Sequence, residues 1–137
     1  IVPAVVESSA GVDRTMLTVL CDAYWEDEEN DRVVLSISPK LAPVKAAVFP
    51  LVNREGMPQV AREIFDDLKG IIPVEYDDSG SIGRRYRRQD EAGTPFCITV
   101  DSQTLEDGTI TIRERDSLEQ VRINKNSALQ KIREKIE

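Results

Sequence analysis

The stretch VKAAVFPLV at 44–52, followed by MPQVAREIFDDL at 57–68, sets the fold class. The first is a nearly continuous apolar run, which predicts a strand covered on both faces in a partly parallel sheet. Pro50 should stand near its end or at a sheet edge, because proline offers no amide to a ladder. In the second, Val60, Ala61, Ile64, Phe65 and Leu68 fall on one helical face, with Pro58 suited to the first turn and Gly70 to the C-terminal cap. Downstream, 71–76 reads as a strand, DDSGS as a turn and IGRRYRRQDEAG as a short helix stopped by Gly93, Thr94 and Pro95. The apolar 96–100 is a further strand, TITIRER at 109–115 alternates as a half-exposed one, and EQVRIN at 119–124 follows it. A final amphipathic helix over 127–136 turns Leu129, Ile132 and Ile136 inward. The sum is an α/β fold with a mixed five-stranded sheet flanked by helices.

Upstream, Pro39 and Pro43 mark a boundary, dividing the chain into 1–40 and 41–137. Before it, PAVVES at 3–8 reads as a buried strand. Met16, Leu17, Leu20, Cys21 and Tyr24 then recur at helical spacing behind Gly11 and Asp13, which supply a turn and cap. EDEEND at 26–31 reads as a solvated acidic loop and VVLSIS at 33–38 as a short strand. Trp25 is expected to anchor packing, and both Cys21 and Cys97 to be core thiols.

The chain has no histidine, which removes His-based triads and the commonest zinc sites, and no metal site is expected. Its apolar runs are far shorter than the ~20 residues of a membrane-spanning helix. The start lacks a signal-peptide pattern, so a cytoplasmic setting is expected. A net charge of −7 argues against phosphate binding when taken as a sum, but the charge is unevenly spread. Residues 22–31 carry only acidic charges, whereas Arg84, Arg85, Arg87 and Arg88 crowd together.

Two segments have chemistry to offer. In 77–96, arginines and Tyr86 supply cations for a nucleic-acid backbone and a flat ring for bases, and Asp90 and Glu91 can accept from an exocyclic amine. Charge pairing on a solvated helix face explains the same pattern. Gly80 and Gly83 complete no phosphate-binding fingerprint. In 5–14, Glu7 suits an ammonium group and Arg14 a phosphate, although strand ends and helix caps also use such residues.

At these places the sequence resembles glycyl-tRNA synthetases of the dimeric class II kind. VVESSAGVDRTMLTVLCDAY is similar to their motif 3, LAPVKAAVFPLV to the start of their anticodon-binding domain, and SGSIGRRYRRQDEAGTPFCITVD and TITIRERDSLEQVRI to its later parts. The resemblance implies that residues 1–40 are the end of a class II catalytic domain and 41–137 the anticodon-binding domain. It assigns Arg14 to ATP, Glu7 and Ser9 to glycine, and Gly11 to close approach of the nucleotide. Ser8 stands where the family usually has proline. Arg85, Tyr86, Arg88, Asp90 and Glu91 become the leading anticodon contacts, with Arg113 and Arg115 behind them. The implied partner is glycine tRNA; ATP, Mg2+ and homodimerisation belong to the intact enzyme. Motifs 1 and 2 have no counterpart here, so the resemblance implies a catalytically inactive, monomeric piece with an exposed apolar patch. A stand-alone RNA-binding accessory protein and an acidic protein-interaction module are the alternatives.

Overall fold

The computed structural model describes residues 2–136. Helix α1 (Val12–Ala23) leads into a hairpin of β1 (Tyr24–Asp27) and β2 (Arg32–Leu35). Then come β3 (Ala46–Pro50), α2 (Met57–Lys69), β4 (Val74–Tyr76), α3 (Ile82–Ala92), β5 (Phe96–Val100), α4 (Ser102–Asp107), β6 (Thr109–Glu114) and β7 (Gln120–Asn124). A 3-10 turn (Lys125–Ser127) precedes α5 (Ala128–Ile136).

The main sheet has the order β4-β3-β5-β6-β7. β3 runs parallel to both β4 and β5, and the pairs β5–β6 and β6–β7 are antiparallel. The chain therefore moves outward through α2 to β4 and returns through α3 to β5 on the other side of β3. Right-handed crossovers in opposite directions put the two helices on opposite faces. On one face Ala46, Val48, Ile98 and Ile112 pack with Ile64, Leu68 and Ile132. On the other, Ala47, Phe49 and Cys97 meet Ile82 and Tyr86 of α3. β3 and β5 are buried along their whole length, which is why both read as unbroken apolar runs.

Several expectations need correction. Residues 2–11 form no strand and are exposed throughout, because a strand needs a partner and nothing in the described residues pairs with them. The acidic loop is shorter than expected: Tyr24–Asp27 is already strand, held by Asp27, which accepts from Asn30 Nδ2 and Arg32 Nε. Trp25 is about half exposed and lies 5.9 Å from the Arg32 guanidinium rather than in the core. Cys21 is exposed and Cys97 buried. Helix α4 was not foreseen, although Asp101 and Thr104 form a reciprocal capping box in front of it. Among the described residues no helix is long and apolar enough to cross a membrane.

Candidate nucleic-acid interface

Helix α3 divides by phase. Ile82, Arg85, Tyr86 and Gln89 face the sheet, while Arg84, Arg87, Arg88 and Glu91, spaced i, i+3, i+4 and i+7, face solvent. The Arg84 side chain makes no hydrogen bond or ion pair among the described residues. Arg87 reaches Asp31 of the hairpin turn at 3.6 Å, and Arg88 Nε donates to Asp77 at 3.0 Å. Burial raises the Asp77 carboxyl, but hydrogen bonds from Arg88 and Ser79 outweigh it and hold the group below its ordinary value.

The arginine that faces inward has a different task. Arg85, 3% exposed, donates to the backbone carbonyls of Pro50, Asp78, Ser79 and Gly80. With Asp77 accepting from the Ser79 amide, it fixes the loop that leads into α3. Asp90, 1% exposed, takes a two-pronged contact from Arg113 at 2.9 and 2.8 Å and a third bond from Arg32 at 3.1 Å. Arg115 is spent on Gly93 O, Ile37 O and Asp116. So Arg85, Asp90 and Arg115, expected to touch RNA, are internal ties in this structure, and Arg113 is mostly one. A buried charge is retained when its polar atoms are satisfied: Asp90, Arg113 and Arg115 are ion-paired, and Arg85 is held by four backbone carbonyls.

Tyr86 is intermediate. Its hydroxyl lies 2.6 Å from Thr99 Oγ1, its ring packs edge-on against Phe49, and Arg113 covers one face at 4.7 Å from the centroid. Burial raises its pKa, so the phenol stays protonated at neutral pH. Beside it opens a hollow of about 270 Å³ whose wall includes Gly83, Tyr86, Arg87, Arg113 and Gln120. The pairing of Arg113 with Gln120 places both on the α3 side of the sheet, past the edge of the helix. The surface thus joins a cationic helix face to a pocket lined by the flat Arg113 guanidinium and the Gln120 amide.

The family model described as "Anticodon binding domain" matches residues 45–135, which includes all of the main sheet, α2, α3 and α5 almost to its end. The chain belongs to the anticodon-binding domain family. The chain is also 54% identical to a glycine–tRNA ligase of Rhodopirellula baltica and 52% identical to one of Thermobifida fusca, in each case over 98% of its length. A glycine–tRNA ligase of Methanococcus maripaludis is 52% identical over 99% of it. The chain spans 26%, 31% and 24% of the lengths of these relatives. The hairpin lies outside the family match yet is tied to α3 through Arg32 and Asp90.

Arg84, Arg87 and Gln120 also border this surface, although the expected contact set does not include them. Helical phase held the signal for the first two, since Ile82, Tyr86 and Gln89 mark the inward side and the arginines at 84, 87 and 88 fall opposite. Glu7, Ser9, Gly11 and Arg14 are all exposed, and the structure does not gather them into a pocket. Gly11 has an ordinary φ of −77° and room for a side chain, so nothing in this chain requires glycine there.

Proposed function

We propose that this chain recognises the anticodon of glycine tRNA as the anticodon-binding part of a glycine–tRNA ligase, the enzyme that joins glycine to its tRNA with ATP. The solvent face of α3 supports RNA binding: three arginines on one helix face, next to a pocket walled by Tyr86 and Arg113, suit a phosphate track with a base beside it. The 52–54% identity to glycine–tRNA ligases over nearly the whole chain is what points to glycine. In this reading Arg84, Arg87 and Arg88 meet phosphates, Tyr86, Arg113 and Gln120 border the base, and Glu91, on the same solvent face of α3, is a further RNA contact. Arg85, Asp90 and Arg115 hold the surface in shape without touching RNA.

Residues 1–40 are assigned to the end of the catalytic domain and 41–137 to the anticodon-binding domain. The ammonium-binding role of Glu7, the ATP role of Arg14 and the supporting roles of Ser9 and Gly11 belong to the same proposal. Glu7 and Arg14 have suitable chemistry for those groups, but these residues alone do not enclose ATP or Mg2+, and no adenylation step is derived from them. A cytoplasmic enzyme, homodimeric through its catalytic domain, completes the reading.

The test is binding, at one fixed salt concentration, to a glycine anticodon stem-loop and to the same stem-loop with its two glycine-specifying cytosines replaced. Fixed salt matters because phosphate attraction alone mimics recognition. The native stem-loop should bind more tightly, and Arg84→Ala combined with Arg87→Ala should weaken both RNAs by about tenfold, as expected for two lost phosphate contacts. Equal binding of the two stem-loops would overturn anticodon reading. Asp90→Ala is a poor probe, since stranding the buried Arg113 guanidinium, and taking one bond from Arg32, costs about 3–5 kcal/mol of stability.

A further inference from the structure

We propose that the acidic turn of the β1–β2 hairpin is a specificity filter for RNA, holding carboxylates beside the arginine face of α3 so that arbitrary phosphate chains are repelled there. The inference rests on the reading of that face as the RNA surface. Its starting point is Asp31, whose side chain is wholly exposed yet whose carboxylate stands 3.6 Å from the Arg87 guanidinium. Asp31 holds a left-handed backbone with φ of 49°, a conformation that aspartate and asparagine tolerate better than most residues. Glu26, Glu28, Asp31 and Glu91 share with Arg87 the lining of an open hollow of about 270 Å³.

The turn is not free to swing away. Asp27 accepts from the Asn30 amide and side chain and from Arg32 Nε, and Arg32 in turn donates to Asp90 in α3 and to the Arg115 carbonyl. The Arg32 bond to Asp27 leads the influences that keep that carboxylate below its ordinary value, so the clamp stays ionised at neutral pH. A buried chain of ion pairs thus fixes an exposed cluster of carboxylates at one edge of a cationic surface. Those carboxylates do not converge on a point: among the described residues no acidic group has the arrangement to hold a metal ion.

The physics favours a filter over a permanent block. An exposed ion pair contributes about 0–1 kcal/mol, so a phosphate placed well by other contacts can displace Asp31 from Arg87. A phosphate with no such contacts meets repulsion from the turn instead. Single-stranded RNA of any sequence carries the phosphates, so a local negative potential lowers binding of the wrong RNA more than binding of one held by base contacts.

The experiment compares the 137-residue chain with a triple variant, Glu28→Gln, Glu29→Gln and Asp31→Asn, which leaves the Asp27 clamp untouched. Asparagine keeps the left-handed backbone at 31, so the hairpin should be preserved. A control variant removes the same charge across the sheet, on α2 and α5, by Glu63→Gln, Asp67→Asn and Glu134→Gln. Affinity is measured for the glycine stem-loop and for an unrelated single-stranded oligonucleotide. The turn variant should bind the unrelated RNA about fivefold more tightly at low salt, with the gain fading in high salt as screening shortens its reach. The stem-loop should gain less, so that preference falls, and the control should change either affinity by less than about twofold. Unchanged binding of the unrelated RNA, or an equal gain in the control, would overturn the filter while leaving the interface intact. No RNA binding by any of the three proteins would overturn the interface and the filter together.

Discussion

Cys97 is the second residue of β5, with 1% of its surface exposed, while Cys21 is exposed on α1. Burial pushes the Cys97 thiol up to about 12, and the partial relief from nearby Arg113 does not offset it. A raised pKa disfavours the thiolate, the only form that attacks a disulfide or an alkylating agent at a useful rate. At pH 8 the thiolate fraction of Cys97 is then on the order of one in ten thousand. Cys21 is exposed and open to a reagent. A thiol-reactive disulfide should therefore label one equivalent quickly in the native protein at pH 8 and two after denaturation, with Cys21→Ser removing the fast one. Fast labelling of both thiols in native protein would show that β5 opens far more readily than its packing allows.

At the scale of elements, the hairpin and α3 meet at Gly93. This residue caps α3 with φ of 82°, and a Cβ built there would stand 3.0 Å from the carbonyl oxygen of Leu35 at the end of β2. Gly56 has the same φ but open space around it. Alanine at either position costs about 1 kcal/mol for the left-handed backbone, and at Gly93 it must also push the hairpin away from α3. Denaturant titration should find Gly93→Ala less stable than Gly56→Ala by about 1–2 kcal/mol, in the range of other overpacking changes. The five strands and α2 were legible because their apolar periodicity is set by burial on one or both faces of the sheet. Of the hairpin only β2 was legible, as part of VVLSIS; β1 and the pairing were not, since Asp27 and Arg32 are polar in sequence and become interior only when paired with each other and with Asp90. The same blindness affected the site: charge clustering located α3, but Arg85 and Arg88 look alike until helical phase separates the one inside from the one outside. Contact with partners far along the chain, as between Arg113 and Asp90, leaves no local pattern at all.

Considered as a whole, the molecule is unevenly consolidated, and that unevenness is measurable. β3 and β5 lie between two layers of packing and β6 buries Ile110 and Ile112 in one of them, with Val48, Ile98 and Ile110 fully buried. In α1 only Ala23 is buried; Leu17 is exposed, and Val12, Met16 and Leu20 expose apolar surface along an open trough of about 610 Å³ that runs beside Ile37 and Leu41. A helix of 12 residues gains little stability from its own hydrogen bonds, and most helices of this length depend on burying one face. Here α1 is anchored at its end, where the Ser36 amide donates to the Ala23 carbonyl and the hairpin continues the chain. Local opening free energy follows such differences in burial, so amide exchange should divide the chain. Amides of residues 12–20 should exchange at least a hundredfold faster than those of β3, β5 and β6, equivalent to a local stability lower by about 2.7 kcal/mol or more. Binding the stem-loop should slow exchange in α3 and in the hairpin turn without protecting α1, because the RNA surface and the apolar trough are built from different elements. Strong protection of α1 in the free chain would mean that a second copy covers its apolar face, and such protection would then rise with protein concentration.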